Sequence, residues 1–407
     1  MLATKSYLPR TASLPATFMR GGTSNGLLIH RHHLPVEQKE WQPILSSIMG
    51  SPDHTGRQLN GMGSGTSSTS KVLVVSKSER VGVDVDYTFI QVGIKDGSLD
   101  MAGNCGNMSS AVGPFAINEA LITPSPNHHN NDNNDDNNKL TARMFNTNTS
   151  KLIHSTFLTK PSNIDPKKKI YDPIGPYTTP GVPSTGSPIT LSFLHPGGAT
   201  TGRTLPTGNP IDILALPDGS TIKATLTDIS NPGVFIRASD LGVAGDISPS
   251  ALSEDAGLMG RLETIRRAGA QLMGLDEGVQ SVPKIVLLSP PSPEMAGEGE
   301  GVSIVCRALS MGEVHKAVPL TLALNLGVSC GIKGTLAHQL AVNVSNGDGD
   351  GDGDGGKKGA GTGKVTIAHP SGTLEVGFVR GGDGEVESAE LGRTSRVLMK
   401  GEVFYSV

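Results

Sequence analysis

Short runs of apolar and β-branched residues recur along the chain, set apart by glycine-rich polar stretches, while helical periods are few. Lys71–Ser76 carries a continuous apolar run, and Val81, Val83, Val85 and Tyr87 alternate with small or polar residues as in a half-buried strand. The same signals predict strands at Ile189–Leu194, Ile222–Leu226, Gly233–Arg237, Lys284–Leu288, Val302–Arg307, Lys364–Ala368 and Thr373–Val379. Helical spacing is found at Gln38–Met49, Met108–Leu121, Leu258–Leu272 and Met311–Leu326. With 53 glycines and 4% aromatics, tight turns and close backbone approaches must be common.

One pattern repeats at long range. Met101–Ile117 reads as a strand end, a small polar loop and a helix; Cys306–Leu324 reads the same way, through Ser310-Met311-Gly312. Two such units imply two similar domains with a cleft between them. Two helix N-termini facing that cleft suit a substrate with several carboxylates. Ser310 and Glu313 also form an S-x-x-E capping box, which needs no ligand.

Composition narrows the class. A chain of 407 residues has room for about two or three domains. Its formal net charge of -4 leaves no basic footprint for nucleic acid. Cys105, Cys306 and Cys330 are odd in number and far apart, so they make neither a disulfide framework nor a CxxC metal site. A reducing compartment follows: the cytoplasm, with the mitochondrion as the alternative. No apolar run reaches about 18 residues, so no membrane span is expected. Residues 1–15 carry Lys5 and Arg10 and no acid, a faint transit-peptide composition better read as a frayed terminus.

Two tracts, Asn127–Asn138 and Gly347–Gly363, are low in complexity and read as surface insertions. His128 and His129 belong to the first and make no metal site. Asp348, Asp350, Asp352 and Gly353 start like a calcium loop, but Gly359 stands where its bidentate Glu belongs. No metal is expected.

The candidate chemistry centres on Asn104-Cys105-Gly106-Asn107. A cysteine at a helix start has a lowered thiol pKa, and Gly106 and Asn107 add a backbone cradle and an amide. A thiol acid/base beside an anion site is one reading; a small buried core cysteine is the other. Upstream lie Phe18–Ser24 and Asn60–Lys71, both polar and glycine-rich. Gly63–Ser70 is crowded with hydroxyls suited to carboxylate oxygens. Lys71 ends that loop and begins an apolar strand, where desolvation makes it a usable base; a lysine snorkelling at a strand edge is the plainer account. Gly61-x-Gly63 lacks the Rossmann spacing and no P-loop string occurs. His30, His32 and His33 cluster without a partner at ligand spacing and read as a solvated turn.

The motifs FMRGGTSNG (18–26), GMGSGTSSTSKVLVVS (61–76), GNCGNMSSAVGPFAI (103–117), LPTGNP (205–210), SMGEVHKAVPLT (310–321) and HPSGTLEVG (369–377) occur in this order. In them the chain resembles the 2-methylaconitate cis-trans isomerase family, which includes aconitate Δ-isomerases and methylitaconate isomerases, over nearly its whole length. The resemblance implies an α+β fold of two related diaminopimelate-epimerase-like domains, each a β-sheet barrel around a central helix, with the active site in the interdomain cleft. It places the domains at 1–205, completed by 394–407, and at 206–393. It implies Lys71 and Cys105 as the catalytic pair and no cofactor. Around them, Arg20, Thr23, Ser24, Ser64, Gly65, Thr66, Ser67, Asn104, Gly106, Asn107, Ser310, Met311, Gly312 and His315 are the expected substrate contacts. Diaminopimelate epimerases use two cysteines, and Ser310 and Met311 stand where the second is expected here. The implied partner is a small di- or tricarboxylate, with no nucleic acid and no membrane; a homo-oligomer is left open. The implied reaction is allylic proton transfer that turns or shifts the double bond of aconitate or an alkylated aconitate. The rivals are a racemase, which wants the second thiol, and a non-catalytic carboxylate binder, which does not need both Lys71 and Cys105.

Overall fold

The computed structural model describes residues 11–124, 138–297, 301–346, 361–381 and 385–406. The expectations for residues 1–10, His128, His129 and Asp348–Gly359 fall outside the described residues. The first half comprises β1 (Thr11–Gly21), β2 (Ser24–His30), α1 (Trp41–Met49), β3 (Lys71–Lys77), β4 (Val85–Val92), α2 (Gly106–Asn118), β5 (Lys139–Asn146), β6 (Lys151–Pro161) and β7 (Ile189–Leu194). The second comprises β8 (Asp212–Ala215), β9 (Thr221–Ile229), β10 (Asn231–Arg237), α3 (Ala256–Leu272), β11 (Lys284–Ser289), β12 (Ile304–Ser310), α4 (Leu320–Cys330), β13 (Gly361–His369), β14 (Gly372–Arg380) and β15 (Val386–Arg393). A last strand, β16 (Ser395–Ser406), returns to the first half.

The two halves are wired alike. In the first, β1 and β2 pair antiparallel, β2 and β3 parallel, β3 and β4 antiparallel, β4 and β5 parallel, then β5, β6 and β7 antiparallel. In the second, β9 to β15 repeat that order and those senses. The parallel steps need crossovers, which α1 and α2 supply in one half and α3 and α4 help to supply in the other. Strands β7 and β15 pair antiparallel and join the halves. Each half also carries an outer strand, but from different sources: β16 returns from the end of the chain onto β1, whereas β8 is the preceding neighbour of β9 and pairs with it antiparallel.

The buried runs at Lys71 and Lys284 follow from layers on both faces. Leu73 and Val75 pack in one cluster with Met108 and Phe115 of α2, while Val72 and Val74 pack in another with Trp41, Leu45 and Ile48 of α1. In β11, Val286 and Leu288 share the cluster of α4, and Ile285 and Leu287 share that of Leu262 and Ile265 on α3. By contrast β5 and β6 alternate buried and half-exposed residues, since one face only is covered. Helices α2 and α4 are buried from Gly106 to Ile117 and from Leu320 to Cys330, as befits helices enclosed by sheet. Each carries glycine at its eighth position. A Cβ on Gly113 stands 2.6 Å from the Phe157 ring of β6, and one on Gly327 stands 2.7 Å from Val376 of β14, so each sheet closes onto its helix at a glycine.

Four expected elements differ. The helix over Met311–Leu326 starts only at Leu320, after Pro319. Met311 and Gly312 have φ of 57° and 74°, so the chain turns there as a hairpin, and Glu313–Val314 pairs back onto β12. Ser310 and Glu313 therefore pair across a hairpin and do not cap a helix. Val81 and Val83 precede β4, Val81 fully exposed, because a turn at Arg80–Val83 interrupts the alternation. Helix α1 starts at Trp41 behind a 3-10 turn at Gln38–Glu40, and α2 spans two residues earlier and three fewer at its end than the periodicity suggests.

Candidate active site

The N-termini of α2 and α4 meet where the halves meet. A Cβ on Gly106 would run into the Leu320 side chain, so glycine is what lets the two first turns approach. The cavity beside them is lined by residues of both halves, Ser24, Ser67, Lys71, Asn104, Cys105, Gly106, Asn107, Ser310, Met311 and His315 among those expected from the sequence.

Arg20, Thr23, Ser64, Gly65, Thr66 and Gly312 are not among the lining residues. Arg20 Nη1 donates to the carbonyls of Gly22 (2.9 Å) and Thr394 (3.0 Å), so it ties the end of β1 to the residue that precedes β16. Thr23 Oγ1 accepts from Asn107 Nδ2 at 3.1 Å. The Gly65 amide donates to Gln58 Oε1, Thr66 bonds Ser68 and Thr69, and Ser64 is exposed; the hydroxyls of this loop largely satisfy one another. Gly312 is at the hairpin tip.

Lys71 is the first residue of β3, with β2 on one side and β4 on the other. It is buried, not at an edge, which removes the snorkelling account. Its Nζ donates to Gln91 Oε1 at 2.5 Å and stands 5.2 Å from the Phe89 ring. Gln91 is itself fixed by its Nε2 bond to the Ser70 carbonyl at 2.8 Å. Burial pulls the Lys71 pKa down, while Cys105 and then Asp100 pull it back up. Cys105 is the N-cap of α2, extended at φ −105°, ψ 92° and half-buried, with no acidic residue in the turn that follows.

The loop carrying Cys105 is held from both sides. The Asn104 amide donates to Asn231 Oδ1 (3.0 Å), and Asn231 Nδ2 donates to the Asn104 carbonyl (2.8 Å) and to Thr321 Oγ1 (2.9 Å). Asn231 thus joins both helix starts. Asn104 Oδ1 accepts from Ser109 Oγ and, at 3.4 Å, from the Tyr87 hydroxyl. Behind Asn107, the buried Arg393 Nε donates to Asn107 Oδ1 at 3.0 Å, and burial brings the guanidinium down to about 10.

The second half supplies Lys284 and His315. Lys284 is buried, lines the cavity and donates to the Ser281 carbonyl at 2.7 Å. Burial lowers it to about 8; Cys105 opposes that shift and Lys71 adds to it. His315 Nδ1 accepts from the Ala317 amide at 3.1 Å, and burial lowers its pKa to about 4. It is neutral near pH 7, with its proton on Nε2. No Asp or Glu is among the lining residues. The other thiols are core: burial pushes Cys306 up to about 12 and raises Cys330 as well.

Among the described residues no group of three or more His, Cys, Asp or Glu is arranged to hold a metal ion. His30 bonds Glu119 at 3.4 Å from the far end of α2, an acidic partner that local spacing did not reveal. No helix among the described residues is long and apolar enough to cross a membrane.

Lys284, Gln91 and Asn231 escaped the sequence reading. For Lys284 a signal exists: Lys284–Ser289 (KIVLLS) echoes Lys71–Ser76 (KVLVVS). The echo lies one strand earlier than the one noted at Cys306–Leu324. Nothing local marks Gln91 or Asn231, whose partners are brought by the fold.

The model of the PrpF protein family matches residues 11–406. The chain is 34% identical to the 2-methyl-aconitate isomerase of Shewanella oneidensis over 97% of this chain and 97% of that protein. A crystal structure of a methylitaconate-delta-isomerase superposes with a TM-score of 0.71 at 30% identity, covering 97% of this chain and 96% of that one. A hydroxyproline epimerase from Agrobacterium vitis shares the fold alone, with a TM-score of 0.53 at 10% identity over 96% and 92% of the two chains.

Proposed function

The chain belongs to the PrpF protein family, and from that membership and the site we propose that it is an isomerase of unsaturated di- or tricarboxylic acids, such as aconitate or an alkylated aconitate. The observation that supports the assignment of residues is that Lys71, at the start of β3, and Cys105, at the N-cap of α2, line one cavity that carries no carboxylate of its own.

Lys71 is proposed as the base. Burial favours its neutral amine, and Gln91 aims it. The amine takes a proton from the allylic carbon: the C–H bond breaks, an N–H bond forms, and the electron pair spreads over the double bond and the adjoining carboxylate. The first-turn amides of α2, at Gly106 and Asn107 in the cavity wall, are proposed to stabilise that charge. Proton return to the original carbon after rotation changes cis to trans. Return at the other end of the allyl system, with Cys105 as donor, shifts the double bond. These residues need no redox or nucleotide partner for either outcome.

A symmetrical two-thiol racemase is disfavoured by a position, and the position is not Ser310 or Met311. The N-cap of α4, which answers to Cys105 in the second half, is Pro319. The reading is tested with aconitate and 2-methylaconitate followed by NMR in deuterated water. Deuterium is expected at the allylic carbon, thiol alkylation should inhibit, and saturating tricarboxylate should protect Cys105. Activity lost to a chelator and restored by a divalent metal would sink it.

A further inference from the structure

The matched wiring gives Lys71 a counterpart. Lys71 opens β3, which runs parallel to β2 and antiparallel to β4. Lys284 opens β11, which runs parallel to β10 and antiparallel to β12. One register step beyond the Leu27↔Val72 pair, Lys71 lies beside Gly26; Lys284 lies beside Gly233. The equivalence ends at their partners. Lys71 faces Gln91, whose amide oxygen it binds. One step beyond the Ile285↔Leu309 pair, Lys284 faces Ser310, and its hydrogen-bond partner among the described residues is the Ser281 carbonyl.

We infer that Lys284 is the substrate anchor of the second half: its ammonium, in the cavity that Lys71 also lines, binds one carboxylate of the acid. The inference rests on the reading of the site as one for unsaturated polycarboxylates. An ammonium has three donors, and one protein carbonyl leaves two for a ligand. Cys105 and Asp100 favour its charge without hydrogen-bonding it, and no Asp or Glu lines the cavity, so a substrate carboxylate is the anion that can take its free donors. Ser310 and His315 Nε2–H stand on the same wall as neutral donors for the same carboxylate. A pKa near 8 keeps Lys284 mostly charged at neutral pH, and a bound carboxylate raises it further. The two lysines therefore divide the work: one amine for the proton, one ammonium for the carboxylate.

The test is binding, which does not depend on turnover. Calorimetry is run with propane-1,2,3-tricarboxylate, which has no double bond to move, and with pentanedioate, which lacks the middle carboxylate. Wild type should prefer the tricarboxylate. Lys284→Met should weaken tricarboxylate binding by about 10- to 100-fold, the range for a charged hydrogen bond, and shrink the preference over pentanedioate. Lys284→Arg should recover much of the affinity, and unfolding curves establish that both variants fold. With an active substrate, Lys284→Met should raise KM more than it lowers kcat and keep solvent exchange at the allylic carbon. Wild-type affinity in a folded Lys284→Met protein overturns the anchor. So does retained affinity with exchange abolished in both variants, which would make Lys284 a proton carrier. If wild type binds the tricarboxylate through Lys284 yet isomerises no unsaturated acid, the proposed reaction fails and the anchor stands.

Discussion

The two halves of the molecule share a strand order, a buried lysine at the same strand start and a glycine at the same helix position, yet they differ at the helix N-cap. The first half has Cys105 there; the second has Pro319. Proline fixes the entry to the helix and removes an amide, but offers no proton. The repeated frame therefore carries a thiol at one helix start and none at the other. What the second side retains is charge and donors: Lys284, His315 Nε2–H and Ser310. The lesson is that duplicated architecture fixes where functional groups stand, while single positions decide whether the site works symmetrically.

The largest expected effect breaks the first half alone. Lys71→Met and Cys105→Ala should each fold and lose at least about 100-fold in turnover, the lower range for a missing acid or base. Cys306→Ala and Cys330→Ala should keep activity, since both thiols are buried in the core. Near-wild-type rates for both Lys71→Met and Cys105→Ala would place the chemistry elsewhere.

The next separates stability from function in the second half. Lys284 has a folded pKa of about 8 against 10.5 for an ordinary lysine. Between those values the unfolded chain binds more protons than the folded one, so wild-type stability should rise with pH over that window, and the burial penalty is complete below it. The rise attributable to Lys284 is roughly 3 kcal/mol. Lys284→Met should lack it and should be the more stable protein at pH 7, because an apolar side chain of similar length replaces a buried charge. Urea unfolding of both proteins from pH 7 to 10 measures this; parallel curves would contradict it.

A smaller effect tests the likeness of the two barrels. Gly113→Ala should push on Phe157, and Gly327→Ala on Val376, each costing about 1–3 kcal/mol. Equal losses by denaturant titration would show equivalent closures; a neutral change at one site would show that its sheet can yield. The smallest concerns the joint. Asn231→Ala removes the side chain that links the Asn104 backbone to Thr321, and should cost about 1–2 kcal/mol. Its activity should fall more than its stability suggests, because Cys105 is next to the loosened residue. An unchanged rate would mean that the Cys105 loop holds its shape unaided.

Much of this was legible in the sequence for physical reasons that can be named. Strands buried on both faces write themselves as unbroken apolar runs, so KVLVVS and KIVLLS were found as strands. The Cys105 helix is legible as a run of small and apolar residues; Gly106 reads as an approach of backbone amides to a ligand, and the fold adds a second role, the close approach of Leu320. The second helix start was misplaced because S-x-x-E is a local signal, and the left-handed Met311-Gly312 turn overrides it. The hydroxyl-rich loop is legible only in part: Ser67 and Ser68 line the cavity, whereas Ser64, Gly65 and Thr66 do not. Side chains that suit carboxylate oxygens suit each other equally well, and Thr66, Ser68 and Thr69 bond among themselves. Asn231 and Gln91 have meaning only through partners that the fold brings to them.

The pairing of β16 with β1, from Thr11↔Ser406 to Gly21↔Ser395, sets a timetable for the chain in the cell. The two strands leave the ribosome some 370 residues or more apart, on the order of 20 to 80 s at ordinary synthesis rates. Throughout that interval one edge of the first strand has no partner, and an open strand edge is a template for pairing with other nascent chains. The first half cannot be completed before the second has been made, so the molecule matures as one unit although its wiring repeats. A chain stopped at residue 394 should therefore aggregate on synthesis even though every residue lining the cavity has already been made.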